Sequence, residues 1–177
     1  YLRDPTTLAR PWAIPGTPGL EHRLGGLEKA DITGAVSYDA VNHERMTILR
    51  EDKIAGIAND IPPVEVVGAD DAELLVLGWG STFGALRAGV NNAVAEGRSV
   101  AHAHLRHINP LPSNLGDVLA AHRLVLVPEL NRGQLSKVVR AEYLVDAISY
   151  SKVQGQPFKA SELIDKIQEL LEGKDEA

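Results

Sequence analysis

A chain of 177 residues, 44% of them hydrophobic, is long enough to bury one domain-sized core without a metal or disulfide to hold it. Its formal net charge of −6, with 18 basic residues scattered among 24 acidic ones, excludes a large nucleic-acid footprint, which needs clustered Lys and Arg. The absence of cysteine excludes disulfides, thiolate zinc sites and cysteine-ligated iron–sulfur clusters from the chain itself.

No apolar run reaches the roughly 18–20 residues that a membrane-spanning helix needs. The opening Tyr1-Leu2-Arg3-Asp4-Pro5 lacks the basic-then-apolar order of a signal peptide, and a cytoplasmic protein is expected. There is no initiating Met, the only methionine is Met46, and the first residues have the character of a linker. The chain therefore reads as a segment excised or processed from a larger enzyme, without a complete active site of its own.

Residues 1–37 are expected to be a linker-like extension from a preceding domain. Pro5, Pro11, Pro15 and Pro18, with Gly16, Gly19, Gly25 and Gly26, leave no room for a long helix or a central strand. Residues 38–60 are read as a connecting helix, with Asp39 near its start and the charges Glu44, Arg45, Arg50 and Glu51 along it. Its apolar stripe of Met46, Leu49 and Ile57 is ragged, and Pro62-Pro63 closes it.

Residues 61–177 read as an α/β domain. Val64–Val67 alternates like a short edge strand, and Leu74-Leu75-Val76-Leu77 is a continuous apolar run suited to a strand covered on both faces. A helix carrying Phe83, Leu86, Val90 and Val94 follows, then a strand over Ser99–Leu105. Next come a helix near Ser113–His122, a buried strand at Leu124–Val127, and a helix carrying Leu135, Val138, Val139 and Tyr143. A short strand around Ala147–Tyr150 precedes the final helix, Ser161–Glu172, whose stripe is Leu163, Ile164, Ile167, Leu170 and Leu171. Strands alternating with helices across short connections predict a three-layer fold, a mostly parallel sheet with helices on both faces.

Ligands of such sheets gather at the carboxyl ends of the strands, where three loops of this chain fall. The first is Gly78-Trp79-Gly80-Ser81-Thr82-Phe83-Gly84. Its glycines allow a tight turn, and Ser81 or Thr82 can cap the following helix or leave free N–H groups for an anion. The spacing G-x-G-x-x-x-G, with no carboxylate at the end of the next strand, fails the dinucleotide fingerprint.

The second loop is His102-Ala103-His104-Leu105-Arg106-His107-Ile108-Asn109-Pro110-Leu111-Pro112. His102 and His104 share a strand face, but no third metal ligand is evident. Arg106 projects from the strand end, where it can pair with a carboxylate of a substrate or of a neighbouring domain.

The third is Pro128-Glu129-Leu130-Asn131-Arg132-Gly133-Gln134-Leu135. Asn131 and Gln134 stand in the N-cap and N3 relation of a capping box, and Glu129 has no evident partner. No nucleophile–base–orienter set, GxSxG or Walker loop can be assembled, so no residue is named catalytic and none a metal ligand. The substrate-binding or interface candidates are Gly78, Gly80, Ser81, Thr82, His104, Arg106, Glu129, Asn131 and Gln134.

Three stretches carry a family resemblance: Leu77-Gly78-Trp79-Gly80-Ser81-Thr82, residues 104–112 and residues 128–135. In order and on the expected elements, they resemble the C-terminal domain of the 2-oxoacid:ferredoxin oxidoreductase α subunit, the 2-oxoglutarate form above all. Pro15-Gly16-Thr17-Pro18-Gly19-Leu20-Glu21-His22 resembles the stretch that joins the preceding thiamine-pyrimidine domain to it. The resemblance implies a transketolase C-terminal-like fold with an assembly role. It also implies a complex that oxidatively decarboxylates a 2-oxoacid to its acyl-CoA and passes electrons to ferredoxin. Thiamine diphosphate, Mg and an iron–sulfur cluster would belong to that complex and not to this segment. The implied partners are the upstream thiamine-pyrimidine domain, a β subunit, CoA and ferredoxin, with no nucleic acid or membrane. The competing reading is a stand-alone small-molecule-binding or sensor module on the same doubly wound fold.

Overall fold

Leu74–Leu77 and Leu124–Val127 contain no side chain suited to water, so each run folds only where both of its faces are covered. The computed structural model, which describes residues 2–22, 25–69 and 71–173, places both at the centre of one sheet. The chain divides into two units, Tyr1–Ile61 and Pro62–Ala177. Tyr1, Asp70 and residues 174–177, which the expected extension and α/β domain include, lie outside the described residues, as do residues 23–24.

In the first unit, α1 spans Ala40–Ala55 and runs into a 3₁₀ turn over Gly56–Asn59. Asp39 is its N-cap and accepts from the backbone N–H of Asn42 at 2.7 Å, satisfying one donor that the helix start leaves free. The raggedness of its apolar stripe is real: Met46 is the only buried residue among those described on α1. Its charges instead hold the loop that precedes it. Arg50 pairs with Glu28 at 2.8 Å, His43 also pairs with Glu28, and Arg45 pairs with Asp31 at 2.8 Å. The same loop closes on itself through an antiparallel bridge between Lys29 and Val36.

The second unit is an α/β sandwich. Its strands are β1 (Val66–Val67), β2 (Leu74–Trp79), β3 (Val100–Leu105), β4 (Leu124–Glu129) and β5 (Ile148–Ser151), in the order β1-β3-β2-β4-β5. β2 to β5 are mutually parallel, whereas β1 pairs antiparallel with β3 at the edge. The six residues between β1 and β2 are too few for a crossover helix, so β1 cannot join the sheet as another parallel unit.

The period of two divides the strand residues between two cores. Leu75, Leu77, Ala101, Ala103, Val125 and Val127 face α3 (Leu115–Ala120) and α4 (Gln134–Tyr143), whose Leu115, Leu119, Leu135 and Val139 complete that side. Leu74, Val76, Val100 and Leu126 face α2 (Phe83–Ala95) and α5 (Ala160–Glu172), through Leu86, Val90, Leu163 and Ile167. Helices therefore cover both faces of a mostly parallel sheet.

Two helix stripes differ from the pattern read in the sequence. On α2, Phe83 and Val94 are exposed, while Gly89 and Ala93 are buried. A Cβ at Gly89 would stand 2.8 Å from Leu163 Cβ, so the small residues are what let α5 approach. On α4, Val138 is exposed and Ser136 buried, because the Ser136 hydroxyl donates to Gly133 O at 3.1 Å.

Strand order fixes where a site can form. From β2 the chain crosses to β3 on one side, then returns past β2 to β4 on the other, so the order reverses between β2 and β4. Their ladder runs only from Leu74↔Leu124 to Val76↔Leu126, although β2 stays paired with β3 as far as Trp79↔Leu105. Beyond Val76, β2 and β4 are no longer paired.

Candidate functional site

Glu129, at the end of β4, fills that reversal point. It is fully buried and accepts from Leu135 N at 2.8 Å, Ser136 N at 3.0 Å, Asn131 Nδ2 at 3.1 Å and Trp79 Nε1 at 3.3 Å. The expectation that Glu129 lacks a partner is thus corrected. Its side chain bridges β2, β4 and the first turn of α4, where a carboxylate meets free N–H donors and the positive end of the helix dipole.

The expected capping box is corrected with it. Asn131 is not the N-cap, and Gln134 is the first helical residue. Gly133 is the N-cap, in the left-handed region at φ 72°, and no side chain of its own can serve. A Cβ there would stand 2.6 Å from Ser149 Oγ. Asn131 Oδ1 accepts from Gln134 N at 3.0 Å, closing the loop ahead of the helix. Glu129 does the capping from four residues before the N-cap, a separation that no local sequence pattern encodes.

The glycine loop also departs from expectation. Gly80, Ser81 and Thr82 form a 3₁₀ turn leading into α2, with Gly80 at φ 59°. Thr82 does not cap that helix; its hydroxyl donates back to Trp79 O at 2.7 Å. Ser81 is exposed beside it. Gly78, opposite His104 in the ladder, lies under the imidazoles. A Cβ there would meet Leu86 Cδ1 at 2.3 Å, His104 Nδ1 at 2.8 Å and His102 Nε2 at 3.4 Å.

His102 and His104 share the α2 face of β3, with ring centroids 5.7 Å apart, and Phe83 contacts both at 5.8 and 5.0 Å. His102 is fully buried, and neither ring nitrogen has a hydrogen-bond partner. Loss of solvent, then the nearby Arg87 and His104, push its pKa down to about 4. His104 shares its Nε2 with Gly80 O at 3.1 Å, while its Nδ1 is buried and unpaired. Its pKa is also lowered, by desolvation first, against the raising effect of the Gly80 carbonyl and with Arg106 and Arg87 adding to the fall. Both rings are neutral near pH 7. Among the described residues, no group of three or more His, Asp or Glu side chains could hold a metal ion.

His104, with Arg87 and Arg106, lines a cleft of about 270 Å³ whose walls also include Pro62, Phe83 and His107, while His102 lies buried and outside that lining. A shallower hollow of about 370 Å³ beside it shares Phe83, His104 and Arg106 and reaches Gly80. The structure thus gathers the first two loops around one cleft. The third is engaged at Glu129, away from that cleft's lining. The sequence reading missed Arg87: on a helix, a lone cation carries no signal until Phe83, one turn earlier, is seen beneath its guanidinium at 5.4 Å. A larger hollow, about 840 Å³, lies within the first unit around Arg10, Trp12 and Leu20.

Comparison with known proteins gives a consistent answer. The chain is 51% identical over 175 residues, 98% of its length, to the 2-oxoglutarate oxidoreductase subunit KorA of Mycobacterium tuberculosis. It is 30% identical over 97% of its length to 2-oxoacid:ferredoxin oxidoreductase 1, subunit alpha, of Aeropyrum pernix. The chain is homologous to part of a 2-oxoacid:ferredoxin oxidoreductase α subunit. The resemblance carried by the three loops therefore extends over nearly the whole chain. It spans only 26% and 27% of those two relatives. A solved structure of 2-oxoglutarate:ferredoxin oxidoreductase from Magnetococcus marinus, with 2-oxoglutarate, coenzyme A and succinyl-CoA bound, superimposes with a TM-score of 0.87. That match is 32% identical and covers 96% of this chain and 30% of the other. No protein-family model matches the chain. No helix among the described residues is long and apolar enough to cross a membrane.

Proposed function

We propose that this chain is the non-catalytic C-terminal assembly domain of a thiamine-dependent 2-oxoacid:ferredoxin oxidoreductase α subunit. The complete cytoplasmic complex, α with β, converts a 2-oxoacid to its acyl-CoA and hands the electrons to ferredoxin. The relatives' names favour 2-oxoglutarate as the acid. The observation that carries the reading is the 51% identity over 98% of the chain to about a quarter of KorA.

Residues 1–37 would then connect a preceding thiamine-pyrimidine domain, through α1, to the sheet. The candidates Gly78, Gly80, Ser81, Thr82, His104 and Arg106 would border that domain, the β subunit or the substrate path. Glu129, Asn131 and Gln134 would keep the border in shape.

The donor chemistry of the described residues does not fit the complex's own cofactors. A diphosphate-bound Mg wants oxygen ligands, and the one fully buried carboxylate, Glu129, already accepts four N–H groups. An iron–sulfur cluster wants thiolates, and the chain has no cysteine. No step of the reaction is assigned to this segment.

Two preparations test the proposal. The full α subunit containing this segment, combined with its β subunit, should reduce ferredoxin when given 2-oxoglutarate and CoA. The segment alone, supplied with thiamine diphosphate, Mg and the same substrates, should show no turnover. Turnover by the segment, or a full complex inactive on every 2-oxoacid tried, would overturn it.

A further inference from the structure

We propose that the cleft between residues 62–65, the start of α2 and the end of β3 binds the phosphate group of a phosphorylated small molecule, with Arg87 and Arg106 as its cations. The inference goes beyond the assembly role and rests on this chain's geometry alone.

Charge is the first argument. Arg45, Arg50, Arg98, Arg123 and Arg140 are each engaged with a carboxylate. Arg87 and Arg106 form no such pair among the described residues, although both line the same cleft. His104 and His107 stand with them, and Glu65 is the carboxylate on the lining. Glu65 lies beyond ion-pair distance of either arginine, where it can accept a hydroxyl of the ligand's organic part.

Preorganisation is the second. The Arg87 guanidinium lies over the Phe83 ring at 5.4 Å, and its Nε is shielded from solvent with no acceptor. A buried guanidinium donor left unpaired is costly, and an anion in the cleft relieves that cost. Behind it, fully buried His102 and the His104 Nδ1 are also without partners. Unpaired polar atoms are uncommon in folded interiors, and those of Arg87, His102 and His104 lie at or directly behind this one cleft.

Shape favours phosphate. The two guanidiniums come from different elements, α2 and the loop after β3, so they can approach different oxygens of a tetrahedral group. A planar carboxylate is satisfied by one guanidinium in a two-pronged pair. The cleft's volume of about 270 Å³ holds a phosphate, and Pro62, Pro63, Pro112 and Phe83 supply flat apolar walls for the carbon skeleton attached to it.

Inorganic pyrophosphate is the probe, titrated by calorimetry into the purified full-length α subunit that contains this chain, with succinate as the carboxylate control. Saturable binding of pyrophosphate is expected, weakened about tenfold or more in Arg106→Gln and in Arg87→Gln, since each charged hydrogen bond contributes at least that factor. Arg106 is exposed, so its variant keeps the fold, and circular dichroism checks both. Arg132→Gln, an exposed arginine outside the cleft lining, should bind as the unaltered chain does. The proposal is overturned if pyrophosphate does not saturate, or if neither cleft variant weakens binding. It is equally overturned if Arg132→Gln weakens it as much, or if succinate binds as tightly and is lost in the same variants.

Discussion

His102 shows how one side chain couples this fold to pH. The charged groups acting on it are Arg87 from α2 and His104 from its own strand, and both oppose its protonation. Its pKa is about 4 in the folded chain against an ordinary 6.5, so between those values the unfolded chain binds a proton that the folded chain refuses. The contribution is favourable to folding above pH 6.5, falls as pH drops through that window, and is fully lost below pH 4. A shift of that size corresponds to about 3 kcal/mol, and the partly exposed His104 acts in the same direction. His102→Leu removes both the unpaired nitrogens and this titration. Urea unfolding at pH 7.5 and pH 4.5 should show a smaller loss of stability for the variant than for the unaltered chain. Equal losses would mean that His102 does not set the slope. The shared face of His102 and His104 was legible from the period of two. That Gly78 leaves the space for both rings was not, because the contact spans two strands.

Among elements, the decisive tie is Glu129. It connects the Trp79 indole on β2 to the first turn of α4 across the one place where the central strands are unpaired. Glu129→Ala leaves the buried N–H groups of Leu135 and Ser136, and the half-buried donors of Trp79 and Asn131, without this acceptor, and should cost about 3–5 kcal/mol of stability. Trp79→Phe, which removes a single long bond, should cost much less. Chemical denaturation of the two variants measures the difference, and near-equal costs would show that packing and not the carboxylate holds the junction. Strand positions were readable because buried parallel strands are written as unbroken apolar runs. The capping pattern misplaced the start of α4, because Gly133 in the left-handed region delays the helix and Glu129 reaches in from the strand.

At the scale of the molecule, both hydrophobic clusters draw every member from Val64 onward. One core lies on each face of the sheet, and each is built from described residues of the second unit. A chain shortened to residues 62–177 is therefore expected to keep the far-UV spectrum of an α/β protein and to unfold cooperatively in urea. A broad, non-cooperative transition would show that the sheet depends on the first unit.

Apolar runs, helix periods and turn residues were enough to predict a mostly parallel sheet covered on both faces, because backbone hydrogen bonding and burial act on neighbours in the chain. Loop motifs were enough to find the relatives. Folding in three dimensions decided the rest: β1 turned antiparallel, Glu129 became a cap, and Arg87 met Arg106 and His104 across a cleft. Each of these joins residues far apart in the chain or set by a glycine at positive φ, and a linear pattern records neither.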